Sequence, residues 1–317
     1  MKAAVALGAV LLLLGAASAG SGLLLAFRLA DPPSGQAEAL PAVASTAETS
    51  PAGELPPAPA LVASQAPTPT PRSTAGLELQ VAGLAGEAGA EVSVSLVELA
   101  GGDPVSWSLD GDQPFVAAST YKLPLLMLEA QNVAAGTASP DDQLCYDPGD
   151  WEDGYYSDYE PGSCFTRAEL EHRVGIDSDN TAAHILVRYD GGADALNAYA
   201  HAHGATESAF YDPNVTTSSD LARLWQNEAQ GSAGGAHAQA YLYPLLTHTS
   251  YEQGIPAGLP PSTTVVHKIG DLDSDVNDAA LVLNGPRGSY VLVVCTDGGS
   301  WQLIAQVAQA VSQFEAG

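Results

Sequence analysis

Hydrophobic and polar positions divide the chain into three unlike stretches. Ala3 to Phe27 is almost wholly apolar, follows Lys2 and ends at Arg28, long enough to begin crossing a bilayer as a helix. Leu29 to Thr74 has no aromatic residue and is mostly Pro, Ala, Ser, Thr and Glu, a composition that gives a semi-extended tether rather than a core. Periodicity begins after it. Glu91 to Leu99 and Val105 to Leu109 read as strands, and helical spacing fills most of Ser119 to Thr247. Three more strand-like runs follow at Val265 to Gly270, Ala279 to Leu283 and Tyr290 to Cys295, with a helical pattern at Ser300 to Phe314. The expected organisation is an export segment over 1–28, a disordered linker over 29–75 and one globular domain over 76–317. Such a domain is large enough for one substantial core.

Local signals sharpen the helical middle. Thr166-Arg167-Ala168-Glu169 has the form of a capping box opening a helix. It leads through the turn Ile176-Asp177-Ser178-Asp179-Asn180 into a helix expected over Thr181 to Tyr189.

Composition then narrows the chemistry. The net charge is −27, from 10 Lys and Arg against 37 Asp and Glu. An anionic surface of that size repels nucleic acid and other polyanions, so no nucleic-acid partner is expected, and most of the carboxylates read as a solvated coat. Lysine is almost absent. Only Lys2, Lys122 and Lys268 occur, and Lys2 belongs to the export segment. Where arginine supplies the other cations, a retained lysine suggests a compact ammonium whose pKa can be lowered.

Lys122 stands three residues after Ser119 at the start of an apolar run, Leu123-Pro124-Leu125-Leu126-Met127, so the two side chains share one helix face. A desolvated amine beside a serine hydroxyl is a base that can activate it. A helix-capping serine beside a surface lysine is the plainer reading of the same spacing, but apolar flanks on both sides argue against it.

Taken in order, Ser119-x-x-Lys122, Ser178-Asp179-Asn180 and Lys268-Ile269-Gly270 resemble the S-x-x-K, S-D-N and K-x-G motifs of class A β-lactamases and their penicillin-binding relatives. The likeness spans roughly residues 85 to 315. It implies an α/β (α+β) fold of the DD-peptidase and β-lactamase type, a five-stranded antiparallel sheet flanked by the terminal helices with an inserted helical subdomain. It also implies a serine hydrolase without a cofactor, acting on a small-molecule or peptide substrate such as a β-lactam or cell-wall peptide. Ser119 would be the acylated nucleophile and Lys122 would take or relay its proton. Ser178, assisted by Lys268, would protonate the leaving nitrogen. Asn180, Gly270 and Asp271 would line the substrate site, with the backbone N–H groups of Ser119 and Asp271 as the oxyanion hole. Asp179 would fix the turn.

Two departures from the family pattern matter. Ile269 stands where the family carries a Thr or Ser hydroxyl for a substrate carboxylate, and Asp271, Asp273 and Asp275 crowd the same segment. The deacylating glutamate pattern E-x-x-L-N is missing, and the short stretch Gly204 to Thr216 offers only Glu207 and Asp212. A carboxypeptidase- or esterase-like hydrolase of another substrate, and an inert membrane-tethered binding module, are therefore the alternative readings.

Cysteine usage agrees with export. Cys145 and Cys164 bracket a loop containing Trp151, Tyr155, Tyr156 and Tyr159, and an extracytoplasmic setting permits them to pair, which stabilises by roughly 3 kcal/mol in the loop-entropy account. That aromatic loop reads either as a wall of the substrate cleft or as ordinary surface. Cys295, within an apolar strand, is expected to be a buried free thiol. His201 and His203 lack metal-ligand spacing, and no metal is expected. Ala17-Ser18-Ala19 has the form of a signal-peptidase site, yet the apolar run continues through Gly22 to Phe27, so an uncleaved anchor is expected, with a cleaved signal and secretion as the alternative. No cysteine near this segment provides for lipidation. The full-length protein is expected to stay with the membrane fraction after a salt wash; soluble protein beginning at Gly20 would show cleavage instead.

Overall fold

The computed structural model describes residues 72–100 and 103–317, so the export segment and nearly all of the expected linker lie outside the described residues. Five strands, β1 (Glu91–Glu98), β2 (Ser106–Leu109), β3 (Thr264–Leu272), β4 (Asp275–Gly285) and β5 (Gly288–Asp297), form one antiparallel sheet in the order β2-β1-β5-β4-β3. Each of the expected strands is present, β3 to β5 extending beyond the β-branched runs that mark them. Sequence-distant β1 pairs with β5 along its whole length, from Glu91 opposite Asp297 to Glu98 opposite Tyr290. The chain leaves the sheet after β2 and returns at β3, and the excursion is the helical part.

Both faces of the sheet are covered, and strand alternation sorts the side chains between them. Val92, Val94, Leu96, Leu292 and Val294 face the terminal helices α1 (Ala75–Ala88) and α8 (Trp301–Ala316). Val291, Val293, Cys295, Ala279 and Leu281 face the excursion and join its larger core. That core is built by α2 (Lys122–Ala135), α3 (Arg167–Ile176), α4 (Asn180–Tyr189), α5 (Gly192–Ala202), α6 (Ser218–Ala229) and α7 (Gly235–Leu242). Helix α6 seats on the sheet through polar contacts as well. The Ser218 hydroxyl bonds those of Ser93 and Ser95 at 2.6 and 2.8 Å, and Trp225 Nε1 donates to Ala279 O at 3.0 Å.

Two local expectations are modified and a third is borne out. Thr166 caps α3 by accepting from the Glu169 N–H at 3.1 Å, but the Glu169 carboxylate turns forward to Arg173 Nη2 at 2.7 Å instead of closing the box. An ion pair outcompetes the backbone N–H for that carboxylate. The last residues assigned to the linker are fixed to the domain: Arg72 stacks 4.0 Å over the Phe314 ring and pairs with Glu98 and Glu315. Cys145 and Cys164 face one another in a two-stranded ribbon, Gln143–Cys145 against Cys164–Thr166, and form a disulfide, while Cys295 is buried and free.

The acidic coat is interrupted inside the core. Glu129, Glu171 and Asp190 converge on the single cation Arg167, and Glu228 and Glu315 are also buried. Burial disfavours their charged forms and pushes Glu171, Glu228 and Glu315 each up to about 7. A carboxyl that binds its proton more tightly folded than unfolded loses stability as pH rises from its unfolded value towards its folded one. His267, raised to about 9 by Asp278 and Glu252 despite its burial, acts in the same sense, whereas the two buried lysines, Lys122 lowered to about 7 and Lys268 lowered well below the usual range, act in reverse and offset part of it. The domain is therefore expected to melt on the order of 5 °C higher at about pH 5.5 than at about pH 7.5 by calorimetry. An equal or lower melting temperature at the acidic pH would contradict this account.

Candidate active site

The site lies where the first turn of α2, the α3–α4 turn and edge strand β3 meet. Ser119 occupies a 3-10 turn, Ala118–Tyr121, and the α-helix proper begins only at Lys122. The chain enters that turn under constraint. Phe115–Val116 pairs with Val215–Thr216, Asn277 of β4 donates to Val116 O at 2.8 Å, and Asn214 donates to Ala118 O at 3.1 Å. Ala118 is thereby held at φ +47°, a left-handed conformation costly for a residue with a Cβ. Strand β3 approaches closely from the other side. A Cβ at Gly270 would stand 2.6 Å from Ala117 O and 3.2 Å from Ser119 N, so only glycine fits.

The Lys122 side chain is fully buried, and its Nζ meets acceptors from two segments: Ser119 Oγ at 3.1 Å, Ser178 O at 2.6 Å and Asn180 Oδ1 at 2.6 Å. Ser178 lies at φ +58°, which turns its hydroxyl back towards both lysines. Lys268 Nζ donates to Ser178 Oγ at 2.9 Å, and Lys122 Nζ stands 3.4 Å from the same atom. Burial lowers Lys122 to about 7, opposed by the nearby negative charges of Asp179 and Glu152. Lys268 falls well below the usual lysine range, chiefly through burial and then through repulsion from Lys122. Two ammonium groups around one hydroxyl are costly, so the geometry favours a single shared proton.

Asp179 is wholly buried and caps α4 through Ala182 N at 2.8 Å. It also accepts from Tyr159 OH at 2.6 Å and from the Tyr155 and Tyr156 N–H groups at 3.0 Å. It thus ties the disulfide-closed aromatic loop to the α3–α4 turn.

Ser119 opens on two cavities. One, of about 350 Å³, is lined by Tyr121, Glu152, Asn180, His184, Tyr211, Asn214 and Asp271. The other, of about 330 Å³, is lined by Tyr155, Asp177, Ser178, Asn180, Tyr251, Ile269 and Asp271. Of the sequence-predicted aromatic loop, Tyr155 reaches a cavity wall, Tyr159 is buried in the core and Trp151 is exposed. Glu207 and Asp212 are exposed, and neither lines the two cavities beside Ser119; the loop presents Tyr211 and Asn214 there instead. Glu152, His184 and Tyr211 escape sequence reasoning because each comes from a different segment. The cysteine bracket around Glu152 is the one signal that marks its loop as built. Among the described residues, no group of three or more His, Cys, Asp or Glu side chains is placed to hold a metal ion, and no helix is long and apolar enough to cross a membrane.

A helix-capped antiparallel sheet, an inserted helical subdomain and a Ser–Lys pair at their junction define the β-lactamase and penicillin-binding-protein fold class. Residues 76–314 match the Beta-lactamase enzyme family, and the chain belongs to that family of serine hydrolases. It is 34% identical over 143 residues to β-lactamase CTX-M-8 of Citrobacter amalonaticus, an alignment covering 40% of this chain and spanning about half, 49%, of that relative. The structure of PBP-A superposes with a TM-score of 0.71 at 26% identity, covering 77% of this chain and 97% of that one. A mutant of PBP-A, solved as an acyl-enzyme complex with penicillin G, gives 0.70 at 26% identity, with 77% and 98% covered. A β-lactamase from Sphaerobacter thermophilus DSM 20745 shares the fold, with a TM-score of 0.69 at 24% identity over 77% of this chain and 98% of that one.

A base acts in its unprotonated form, so if Ser119 is acylated with Lys122 as its base, at about 7, the acylation rate is expected to climb about tenfold per pH unit below that value and level off above it. Lys122→Ala should lower the plateau by ~10²–10⁴-fold and abolish that inflection. Stopped-flow labelling across pH measures both; an unchanged inflection in the variant would exclude Lys122 as the base.

Proposed function

We propose that this protein is an exported serine hydrolase that is acylated at Ser119 by an amide of the β-lactam or cell-wall-peptide kind and releases the acyl group slowly. The observation that carries the reading is the chain of contacts from Ser119 Oγ through Lys122 Nζ to Ser178 Oγ and Lys268 Nζ, with steps of 3.1, 3.4 and 2.9 Å. In the proposed reaction Ser119 Oγ attacks the carbonyl carbon and its proton passes to Lys122. The tetrahedral oxyanion is met by the backbone N–H groups of Ser119 and Asp271. Collapse breaks the C–N bond as Ser178 protonates the departing nitrogen, and Ser178 is reprotonated from the lysine pair. Asn180 supports this arrangement from both ends, its Oδ1 on Lys122 and its Nδ2 donating to Asp153 O at 2.8 Å. An inert binding module would not need two buried lysines around two serines, each desolvated at a cost.

Slow release rests on the loop over 204–216, whose carboxylates turn to solvent while Tyr211 lines the cavity beside Ser119, and on the engagement of Glu152, a carboxylate of that cavity, by His184. The second reading, a carboxypeptidase- or esterase-like hydrolase of a different substrate, is favoured by Ile269. Its buried apolar side chain offers no hydroxyl to a substrate carboxylate, and Asp177 and Asp271 line the same cavity.

With nitrocefin, about one equivalent of product is expected in a burst, followed by turnover far below the ~10 s⁻¹ typical of enzymes, and Ser119→Ala should abolish the burst. Rapid steady turnover without a burst would show an efficient β-lactamase. Absence of acylation by β-lactams, with fluorophosphonate labelling of Ser119 retained, would favour the second reading.

A further inference from the structure

The two cavities beside Ser119 differ in what they face. Ser178, which would hand a proton to the leaving nitrogen, lines only the cavity of Tyr155 and Ile269, making that the leaving-group side. Glu152, His184 and Tyr211 line only the other, which is left for the acyl portion. Its polar wall is one-sided. Two carboxylates, Glu152 and Asp271, line it, and no Lys or Arg side chain does.

Glu152 is built into this wall. Its backbone N–H and C=O are both bonded to the Thr181 hydroxyl, at 3.1 and 2.8 Å, which fixes the loop on α4. His184 Nε2 lies 3.0 Å from one carboxylate oxygen and its Nδ1 lies 3.0 Å from Asp150 O, so the ring packs between the two, and a neutral imidazole, with one N–H, donates to one of them. The Glu152 side chain nevertheless remains 52% exposed, open to the cavity and to solvent. Tyr121 and Tyr211, packed edge to face with ring centroids 5.7 Å apart, supply aromatic surface beside it. A carboxylate with one oxygen steadied, set beside aromatic rings in a cavity whose wall carries no Lys or Arg, is the surrounding that an ammonium group prefers. A substrate carboxylate would meet repulsion there.

We propose that Glu152 makes the acyl side of the cleft a receptor for an ammonium group, so that the preferred substrate is an amide or ester whose acyl portion carries a cationic amine, as a diamino-acid side chain does. This assignment of substrate class rests on the acylation of Ser119 proposed above. The cation would stay in place through the acyl-enzyme, because it belongs to the part of the substrate that the serine retains.

Two measurements on the folded protein separate this inference from the reading beneath it. The first compares labelling of Ser119 by two fluorophosphonates of equal length, one ending in trimethylammonium and one in the isosteric tert-butyl group. The cationic probe should label about tenfold faster, and the ratio should fall towards one in Glu152→Gln and at high salt. A wild-type ratio near one, or one that survives Glu152→Gln, overturns the proposal while leaving the hydrolase reading intact. Failure of both probes to label Ser119 counts against the hydrolase reading. The second measurement then decides: calorimetric titration of Ser119→Ala with N-acetyl-lysine amide and N-acetyl-norleucine amide needs no acylation. Preference for the lysine derivative that Glu152→Gln removes supports the ammonium receptor, and equal or undetectable binding of the two overturns it.

Discussion

The Lys122 amine is the constraint on which the rest of the site depends. A fully buried ammonium is tolerable only if its donors are met, and here they are met by a serine hydroxyl from its own turn, a main-chain carbonyl from the α3–α4 turn and a side-chain amide from the first residue of α4. Those acceptors must arrive together. Ser178 therefore takes a left-handed conformation and Asn180 must open its helix, so Asp179 between them is committed to capping that helix and anchoring the aromatic loop. The disulfide ribbon closes the same loop at its base.

Under the proposed function the second lysine makes this scaffold a device for moving a proton. Lys268 reaches Ser178 Oγ from the sheet while Lys122 reaches it from the helix, and the Lys122 ammonium disfavours that of Lys268. In the proposed reaction a proton taken by Lys122 from Ser119 raises the positive charge around Ser178 and favours its onward transfer to the leaving nitrogen. Gly270 is as necessary as the titrating groups, since any side chain there would separate β3 from the nucleophile turn.

Much of this was legible in the chain. The strands were visible because β-branched runs continue across positions buried on both faces, and the three motifs were visible because their residue types, order and spacing resemble those of the family. What stayed hidden was set by tertiary contact. Ser119 sits in a 3-10 turn rather than in the α-helix because Asn214 and Asn277, distant in sequence, hold the entering backbone. Glu129, Glu171 and Asp190 look like members of the solvated coat, and only folding gathers them around Arg167 inside the core. Glu152 stands among so many acids that nothing local distinguishes it; its place is given by Thr181 and His184 on α4.

The two acids that act on Lys122 do so from different dielectric surroundings. Burial dominates the lowered pKa, and Asp179 opposes it from a site without solvent, where salt has little access. Glu152 opposes it less and from a half-exposed position, where water and salt screen its field. The strength of the base is therefore set mainly by the packed junction of α2, the α3–α4 turn and β3. On the proposed acyl side the loop over 145–164 contributes Glu152 and β3 contributes Asp271. In the proposed function Glu152 can therefore change what the cleft accepts while the Ser–Lys geometry is kept, whereas Ile269 and Asp271 stand on the same strand as Lys268 and are tied to the junction itself.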